Sequence, residues 1–319
     1  MTEPRSGELR VLAPDGAPEI ETGADLAALV GSLVAPVDGD IVVVTSKAVA
    51  KAEGRVTTRS RDEMVAEETV RVVARRGSLV VARTRLGVTQ AAAGVDQSNV
   101  ASGHVVPLPL DPDGSARAIR EALRVSTGAN VGVVVTDTAG RAWRTGQTDI
   151  AVGAAGVRVL ESFVGVHDGH GHELRVTEPA VADELAGAAE LAQGKLGGRP
   201  FAVVRGRADL VLPPDDHGPG AVALVRPDPE DLFGLGAREA VVQALLGDPA
   251  DLPAYGAAAE RDDLVTALRT VLGDDAVVSE EPVLLARGPE RVVAALAFAH
   301  GWTASTQSAE VSVLRPPGP

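Results

Sequence analysis

The stretch VVVTDTAGRAWRTGQTDIAVG, Val133 to Gly153, sets Asp137, Thr138, Arg141, Arg144, Gln147 and Asp149 just beyond a valine run. A structural loop needs turn formers; it does not need two carboxylates, two guanidiniums and an amide at once. A carboxylate and a hydroxyl at the end of a buried strand form a donor pair for a hard cation such as Mg²⁺. Such an ion takes oxygen ligands and keeps phosphate oxygens and waters in the rest of its shell. Gly140 lets the backbone turn sharply, and Arg141 and Arg144 supply planar donors for a carboxylate or phosphate. Gln147 and Asp149 can orient either partner. The same residues would also make an Asp/Thr turn closed by an Asp–Arg ion pair.

Two further segments carry related chemistry. AAAGVDQSNV, residues 91 to 100, places Asp96 after small residues that let a ligand approach the backbone, with Ser98 and Asn99 behind it. VVVTSKAVAKAEGR, residues 42 to 55, runs from a buried-strand pattern into Thr45, Ser46 and Lys47, with Lys51 four residues on and on the same helical face. Hydroxyls and two ammonium groups beyond a strand suit phosphate. Each segment alone also reads as an Asx-rich turn or a pair of solvated lysines. Together they form a metal–nucleotide inventory, the kind used in phosphoryl chemistry, where positioning and charge neutralisation do most of the catalysis.

Composition narrows the class. Of the 30 basic residues only three are lysines, Lys47, Lys51 and Lys195, and the rest are arginines. Where coding favours Arg, a surviving Lys marks a place for a compact ammonium. With no Cys among 319 residues, thiolate catalysis, disulfides and Cys-type zinc sites are excluded. A net charge of −14 argues against a nucleic-acid or membrane-surface binder. The polar opening MTEPRSGELR is unlike a secretory signal and no apolar run reaches a membrane span, so a soluble cytoplasmic protein is expected. Aromatics are 2% of residues, so the core must be Val, Leu and Ala.

The elements that must hold these residues emerge from periodicity and punctuation. Strands are expected at residues 8–13, 41–46, 78–83, 130–137, 157–166 and 200–206. Helices are expected near 24–34, over 61–76 with acids early and bases late, over 115–128 ending at Gly128, over 178–195, and over 228–246 as the last helix of the main body. GDPADLPAYGA, from Gly247, reads as a linker, and residues 257–319 as a small C-terminal α/β lobe. The pattern is mixed: strands and helices alternate without a clean βαβ rhythm, and no glycine-rich dinucleotide or P-loop fingerprint comes after any strand.

SK-AVAK-AEGR, GVD-SN, the D-T-x-G-R-x-W-R-x-GQ-D-A-x-G block, VTE-AVADE and the GK preceding PFAVVRG resemble, in order and spacing, the coenzyme F420-0:L-glutamate ligases. The likeness runs from about residue 8 to 245. It implies an α+β class with mixed sheets and helices, the F420 gamma-glutamyl ligase-like fold, for a ligase domain over 1–246, leaving 257–319 as a lobe of unknown function. It also implies a homodimer and a GTP-dependent amide ligase of coenzyme F420 biosynthesis that adds L-glutamate to F420-0, then further gamma-linked glutamates. The carboxylate of F420-0 would take the γ-phosphate of GTP to give an acyl phosphate, which the glutamate amine then attacks.

By that resemblance Asp96, Asp137 and Thr138 match ligands of Mg²⁺ or Mn²⁺, two ions in all. Ser46, Lys51 and Asn99 match GTP contacts, and Ala17, Pro18, Glu19 and Ile20 line the nucleotide site. Gln193, Gly194 and Lys195 fall where the family closes over the nucleotide. Relatives often carry Gln where Lys195 stands, which points to phosphate neutralisation there instead of metal ligation. Arg141 and Arg144 are assigned from chemistry alone to the substrate carboxylate or the transferring phosphate.

Some residues are set aside. His167, His170 and His172 lie in a glycine-rich loop and read as solvated, and Trp143 as packing. Some relatives fuse the ligase to a flavin-binding reductase domain; the residues after the linker are too few for one, so no FMN is expected. An amino-acid ligase acting on another acid, or a non-catalytic nucleotide-binding homologue, are the rival readings.

Overall fold

A computed structural model of the chain describes residues 7–227, 231–279 and 283–317. It divides into two compact units, Met1–Val225 and Arg226–Pro319.

The first unit is built on a five-stranded mixed sheet. Its strands are β1 (Arg10–Leu12), β2 (Ile41–Thr45), β6 (Gly132–Arg141), β7 (Arg144–Ala155) and β8 (Phe201–Arg205), in the order β1-β8-β2-β6-β7. Only β2 and β6 run parallel; every other pairing in this sheet is antiparallel. The continuous valine runs make sense because both faces are covered. Val42, Val44, Val133 and Val135 pack on one face against α1 (Leu26–Val34), α2 (Ser46–Ala52) and α4 (Pro112–Thr127). Ile41, Val43 and Val134 pack on the other face with α5 (Val181–Gln193), through Val181, Ala182, Leu185 and Ala189. Alternation along each strand thus feeds two separate cores.

A second, three-stranded antiparallel sheet stands between α2 and α4 in the chain. It comprises β3 (Thr69–Arg76), β4 (Leu79–Thr84) and β5 (Thr89–Ala91), preceded by α3 (Arg61–Glu68). Ser60 and Glu63 form a reciprocal capping box that starts α3. The helix expected over 61–76 therefore ends eight residues early. From Thr69 the chain is rich in β-branched residues, Thr69, Val70, Val72 and Val73, and Gly77 at φ 60° folds it back onto β4. Charge order along the segment hides that switch.

Two other expectations are corrected. The strand at 157–166 is absent: Val157 makes only an isolated bridge to Val211, and the segment runs on as an irregular loop. The polar block after Asp137 is no loop, since β6 continues to Arg141 and returns as β7.

The second unit carries its own core, formed by Leu264, Val265, Leu268, Leu284, Ala286, Val293, Ala297, Trp302 and Leu314. Helices α6 (Ala237–Leu246), α7 (Arg261–Leu272) and α8 (Glu290–Ala299) accompany an antiparallel sheet of β9 (Val277–Ser279), β10 (Leu284–Arg287), β11 (Thr303–Thr306) and β12 (Val311–Arg315), ordered β11-β12-β10-β9. Helix α6 packs on α8, so it belongs to this unit and not to the main body. Residues 228–230 of the helix expected at 228–246, and residues 1–6 of the opening segment, lie outside the described residues. The expected linker from Gly247 holds a 3-10 turn, Pro249–Tyr255. Among the described residues no helix is long and apolar enough to cross a membrane.

Candidate active site

Parallel pairing of β2 and β6 sets Thr45 beside Thr136, which brings the next residues, Ser46 and Asp137, together from positions 91 apart. The Ser46 hydroxyl donates to Asp137 Oδ1 at 2.9 Å. Antiparallel pairing of β6 with β7 then sets Thr138 opposite Asp149, and the Thr138 hydroxyl donates to Asp149 Oδ1 at 2.7 Å. Asp137 and Thr138 are thus mid-strand residues and not strand-end residues. The turn falls at Ala142–Trp143, with Trp143 at φ 58°, while Gly140 keeps an ordinary strand conformation.

Asp96 arrives from the other sheet. After β5 the chain passes through three consecutive left-handed residues, Ala92 (φ 53°), Ala93 (φ 50°) and Gly94 (φ 75°). A Cβ on Gly94 would collide with Gln90 Nε2 and lie 2.6 Å from Leu108 Cγ, so only glycine fits there. Asp96 is pinned by a backbone bridge to Val106, and its Oδ1 accepts from the amides of Gln97 and Ser98 at 2.6 and 2.9 Å. Non-glycine residues at positive φ cost free energy that packing must hold in place, and here they aim a carboxylate.

These pieces enclose one cavity of about 670 Å³. Its lining contains Ala17, Pro18, Glu19, Ile20, Ser46, Lys51, Asp96, Asn99, Asp137, Thr138, Gln193, Gly194 and Lys195, together with Lys47, Asp149, Glu190 and Arg199. All three lysines of the chain are therefore in it. Lys47 Nζ donates to Asp96 Oδ2, Ser98 Oγ and the Ser98 carbonyl, each at 2.7 Å. Lys51, buried on the next turn of α2, pairs with Glu19. Lys195 Nζ lies 3.5 Å from Thr138 Oγ1.

Arg141 and Arg144 are not in the lining. Both stand exposed at the hairpin tip, where Arg141 donates to the Thr145 carbonyl at 2.9 Å. Trp143 between them, expected to be buried in packing, is 84% exposed. His167, His170 and His172 are exposed in their loop, with Asp168 accepting from the His170 and His172 amides.

Electrostatics divides the cavity. Burial raises the Asp96 carboxyl, but the Lys47 ammonium and the Ser98 hydrogen bonds outweigh it and hold Asp96 well below the usual carboxylate range. Asp137 goes the other way: burial pushes it up to about 6, and the carboxylates of Asp149 and Asp96 push in the same direction against hydrogen bonds from Ser46 and Gln90. Glu190 on α5 is also raised, by burial first and then by Asp149. The buried atoms Gln90 Oε1, Thr136 Oγ1 and Gln193 Oε1 have no partner; Thr136 and Gln193 line the cavity, and Gln90 Nε2 donates to Asp137 Oδ2 at 3.3 Å.

Among the described residues no three His, Asp or Glu side chains converge as a finished cation cage. The donors present at Asp137, Thr138 and Asp149 are nevertheless all oxygen, with two carboxylates short of positive charge, which suits a hard divalent ion.

The sequence profile of F420-0:gamma-glutamyl ligase matches residues 16–62 and 60–206, more than half of the chain and all within the first unit. This chain belongs to the F420-0:gamma-glutamyl ligase family. Proteins named Coenzyme F420:L-glutamate ligase are similar to it. That of Archaeoglobus fulgidus is 37% identical over 219 residues, 62% of this chain and 88% of the relative. That of Methanopyrus kandleri is 36% identical over 240 residues, 67% and 93%. That of Methanothermobacter thermautotrophicus is 34% identical over 251 residues, 70% and 98%.

In this ligase-family chain Glu190, Gln90 and Arg199 join the site without being marked by any sequence motif, and Asp149 is marked only as an orienting residue. Glu190 is within reach of a sequence argument: it lies three residues before Gln193, one turn away on the same helical face. Gln90 is not, because only the tertiary packing of β5 beside β6 brings it to Asp137.

Proposed function

We propose that this protein is the F420-0:L-glutamate ligase of coenzyme F420 biosynthesis, uses GTP, and adds further gamma-linked glutamates in turn. The observation that carries this reading is the convergence of three lysines and three aspartates on one cavity in a chain of this family. GTP brings phosphate charge that Lys47, Lys51 and Lys195 are placed to offset, with Ala17–Ile20, Ser46, Asn99, Gln193 and Gly194 around the rest of the nucleotide.

Asp96, Asp137 and Thr138, with Asp149 behind Thr138, would hold Mg²⁺ or Mn²⁺. When bound, such ions supply charge stabilisation to phosphoryl transfer. The F420-0 carboxylate oxygen attacks the γ-phosphorus of GTP, the bond to the β,γ-bridging oxygen breaks, and GDP leaves. The glutamate amine then attacks the acyl carbon of the acyl phosphate, loses a proton and expels phosphate, which leaves an amide. Arg141 and Arg144, at an exposed hairpin tip, suit the carboxylate of an arriving substrate better than a phosphate bound inside. The active species is proposed to be a homodimer.

The test is mass spectrometry of purified protein with F420-0, L-glutamate, GTP and Mg²⁺ or Mn²⁺, beside Asp137→Ala. Successive gains of one glutamyl unit, lost in the variant, are expected. GTP binding without product would replace the acid substrate in this reading, and absence of both would overturn it.

A further inference from the structure

Both oxygens of Asp96 are fully engaged. Oδ1 accepts two backbone amides, and Oδ2 accepts Lys47 Nζ and the Ser98 hydroxyl, each at 2.7 Å. The partners of Oδ1 are fixed backbone amides, whereas those of Oδ2 are side chains that can move, so Oδ2 is the oxygen a cation can take over. There it meets the ammonium of Lys47, a side chain only 16% exposed that also holds Ser98 through two contacts. Two cations cannot share one carboxylate oxygen without strong repulsion. Lys47 also lines the cavity, on the helical face it shares with Lys51, so a phosphate group in the cavity offers it a second anionic partner.

The geometry points to Lys47 as an internal stand-in cation: it occupies Asp96 in the free protein and moves to phosphate when nucleotide enters, releasing Asp96 to a divalent ion. This role rests on the metal–nucleotide reading of the cavity. It makes Lys47 a positioning residue that links the two ligands beyond any direct contact between ion and phosphate. Nucleotide raises the affinity for the ion by freeing its ligand, and by reciprocity the ion raises the affinity for nucleotide by the same factor. The free protein therefore binds the ion weakly by itself and does not trap it ahead of the co-substrate.

The experiment is Mn²⁺ binding, measured by the electron paramagnetic resonance signal of the free ion, with and without GDP. It compares the unaltered protein, Lys47→Met, Lys47→Gln and Lys51→Met. The last removes the same charge from the same helix, but from a residue paired with Glu19 and not with Asp96. Removal of Lys47 is expected to tighten Mn²⁺ alone about tenfold or more, and to reduce by the same factor the gain that GDP confers. Lys51→Met is expected to change the affinity for Mn²⁺ alone, without GDP, less than about threefold. Equal tightening by Lys47→Met and Lys51→Met, or none by either Lys47 variant, overturns the stand-in role while leaving the site intact. If the unaltered protein binds Mn²⁺ neither alone nor with GDP, the metal–nucleotide reading itself falls, and the stand-in role with it.

Discussion

The cavity has two acidic corners that the fold treats in opposite ways. At Asp96 the carboxylate already has its cation, and its acidity is strengthened. At Asp137 and Asp149 two carboxylates stand close with hydroxyl and amide donors but, among the described residues, no ion-paired cation, Lys195 reaching only the Thr138 hydroxyl at 3.5 Å, and Asp137 is pushed up to about 6. The first corner is satisfied by the protein alone. The second is an incomplete arrangement whose missing component is positive charge. A site built this way is settled on one side and held ready for a ligand on the other.

The largest effect that can break the comparison is on turnover. Asp137→Ala removes a carboxylate from the uncompensated corner and should lower glutamyl ligation by roughly 10³-fold or more, the scale of several kcal/mol of transition-state charge stabilisation. A circular dichroism spectrum like that of the unaltered protein separates this loss from misfolding.

Next comes stability, where the two corners predict opposite signs. The folded pKa of Asp137 is raised from 3.8 to about 6. Its contribution is therefore fully present below the unfolded pKa and is lost as pH rises through about 6. Asp137→Asn should then stabilise the ligand-free protein at pH 7.5, by on the order of 2 kcal/mol once cavity solvent is allowed for. Gln90 can turn its unpartnered Oε1 toward the new amide. The folded pKa of Asp96 is depressed, so its contribution is present above the unfolded pKa and lost as pH falls. Asp96→Asn should destabilise at pH 7.5, by less, because the side chain is 42% exposed. Chemical denaturation of both variants at pH 5 and 7.5 decides; equal signs would falsify the division of the cavity.

A smaller effect sharpens the role of Gln90. Gln90→Leu takes one donor from Asp137, and outer-shell changes of this kind cost roughly tenfold in metal affinity. Titration with Mn²⁺ should show that loss with little change in melting temperature. Smallest is the hairpin tip. Arg144→Ala should raise KM for F420-0 a few-fold with kcat unchanged, since an exposed guanidinium steers and holds a substrate without entering the reacting group. A fall in kcat instead would place Arg144 at the transferring phosphate.

How much of this is legible in the sequence depends on the range of the interaction. The valine runs at 41–46 and 130–137 announce buried strands, and the three lysines and the GVD-SN and D-T-x-G-R segments announce the cavity. The partition of roles within it is not legible. That Lys47 faces Asp96, or that Asp149 crowds Asp137, depends on register between strands far apart in sequence, which periodicity does not encode. Asp137 and Thr138 look like strand-end residues because the polar letters after them resemble a loop. In the structure those letters lead into a twelve-residue strand whose far half is buried and near half exposed. Residues 69–76 mislead for the opposite reason. Their charge order fits a helix, and only the turn at Gly77 and pairing with β4 overrule it. The split at Val225 is hidden because the packing of α6 on α8 joins segments far apart in sequence, which periodicity does not encode.

The strand order of the main sheet bears on how the protein is made. Strand β8 lies between β1 and β2 and is the only strand to which β1 pairs among the described residues, Arg10 opposite Arg205. The wall residues Ala17–Ile20 come soon after β1, so their anchor is synthesised nearly two hundred residues after they are. At roughly 5–20 residues per second, a ribosome needs on the order of ten seconds or more to deliver it. Until then the nascent chain has β2 and the lysines of α2 but no sealed pocket, and a transcript truncated before Phe201 yields a chain whose β1 lacks its partner strand.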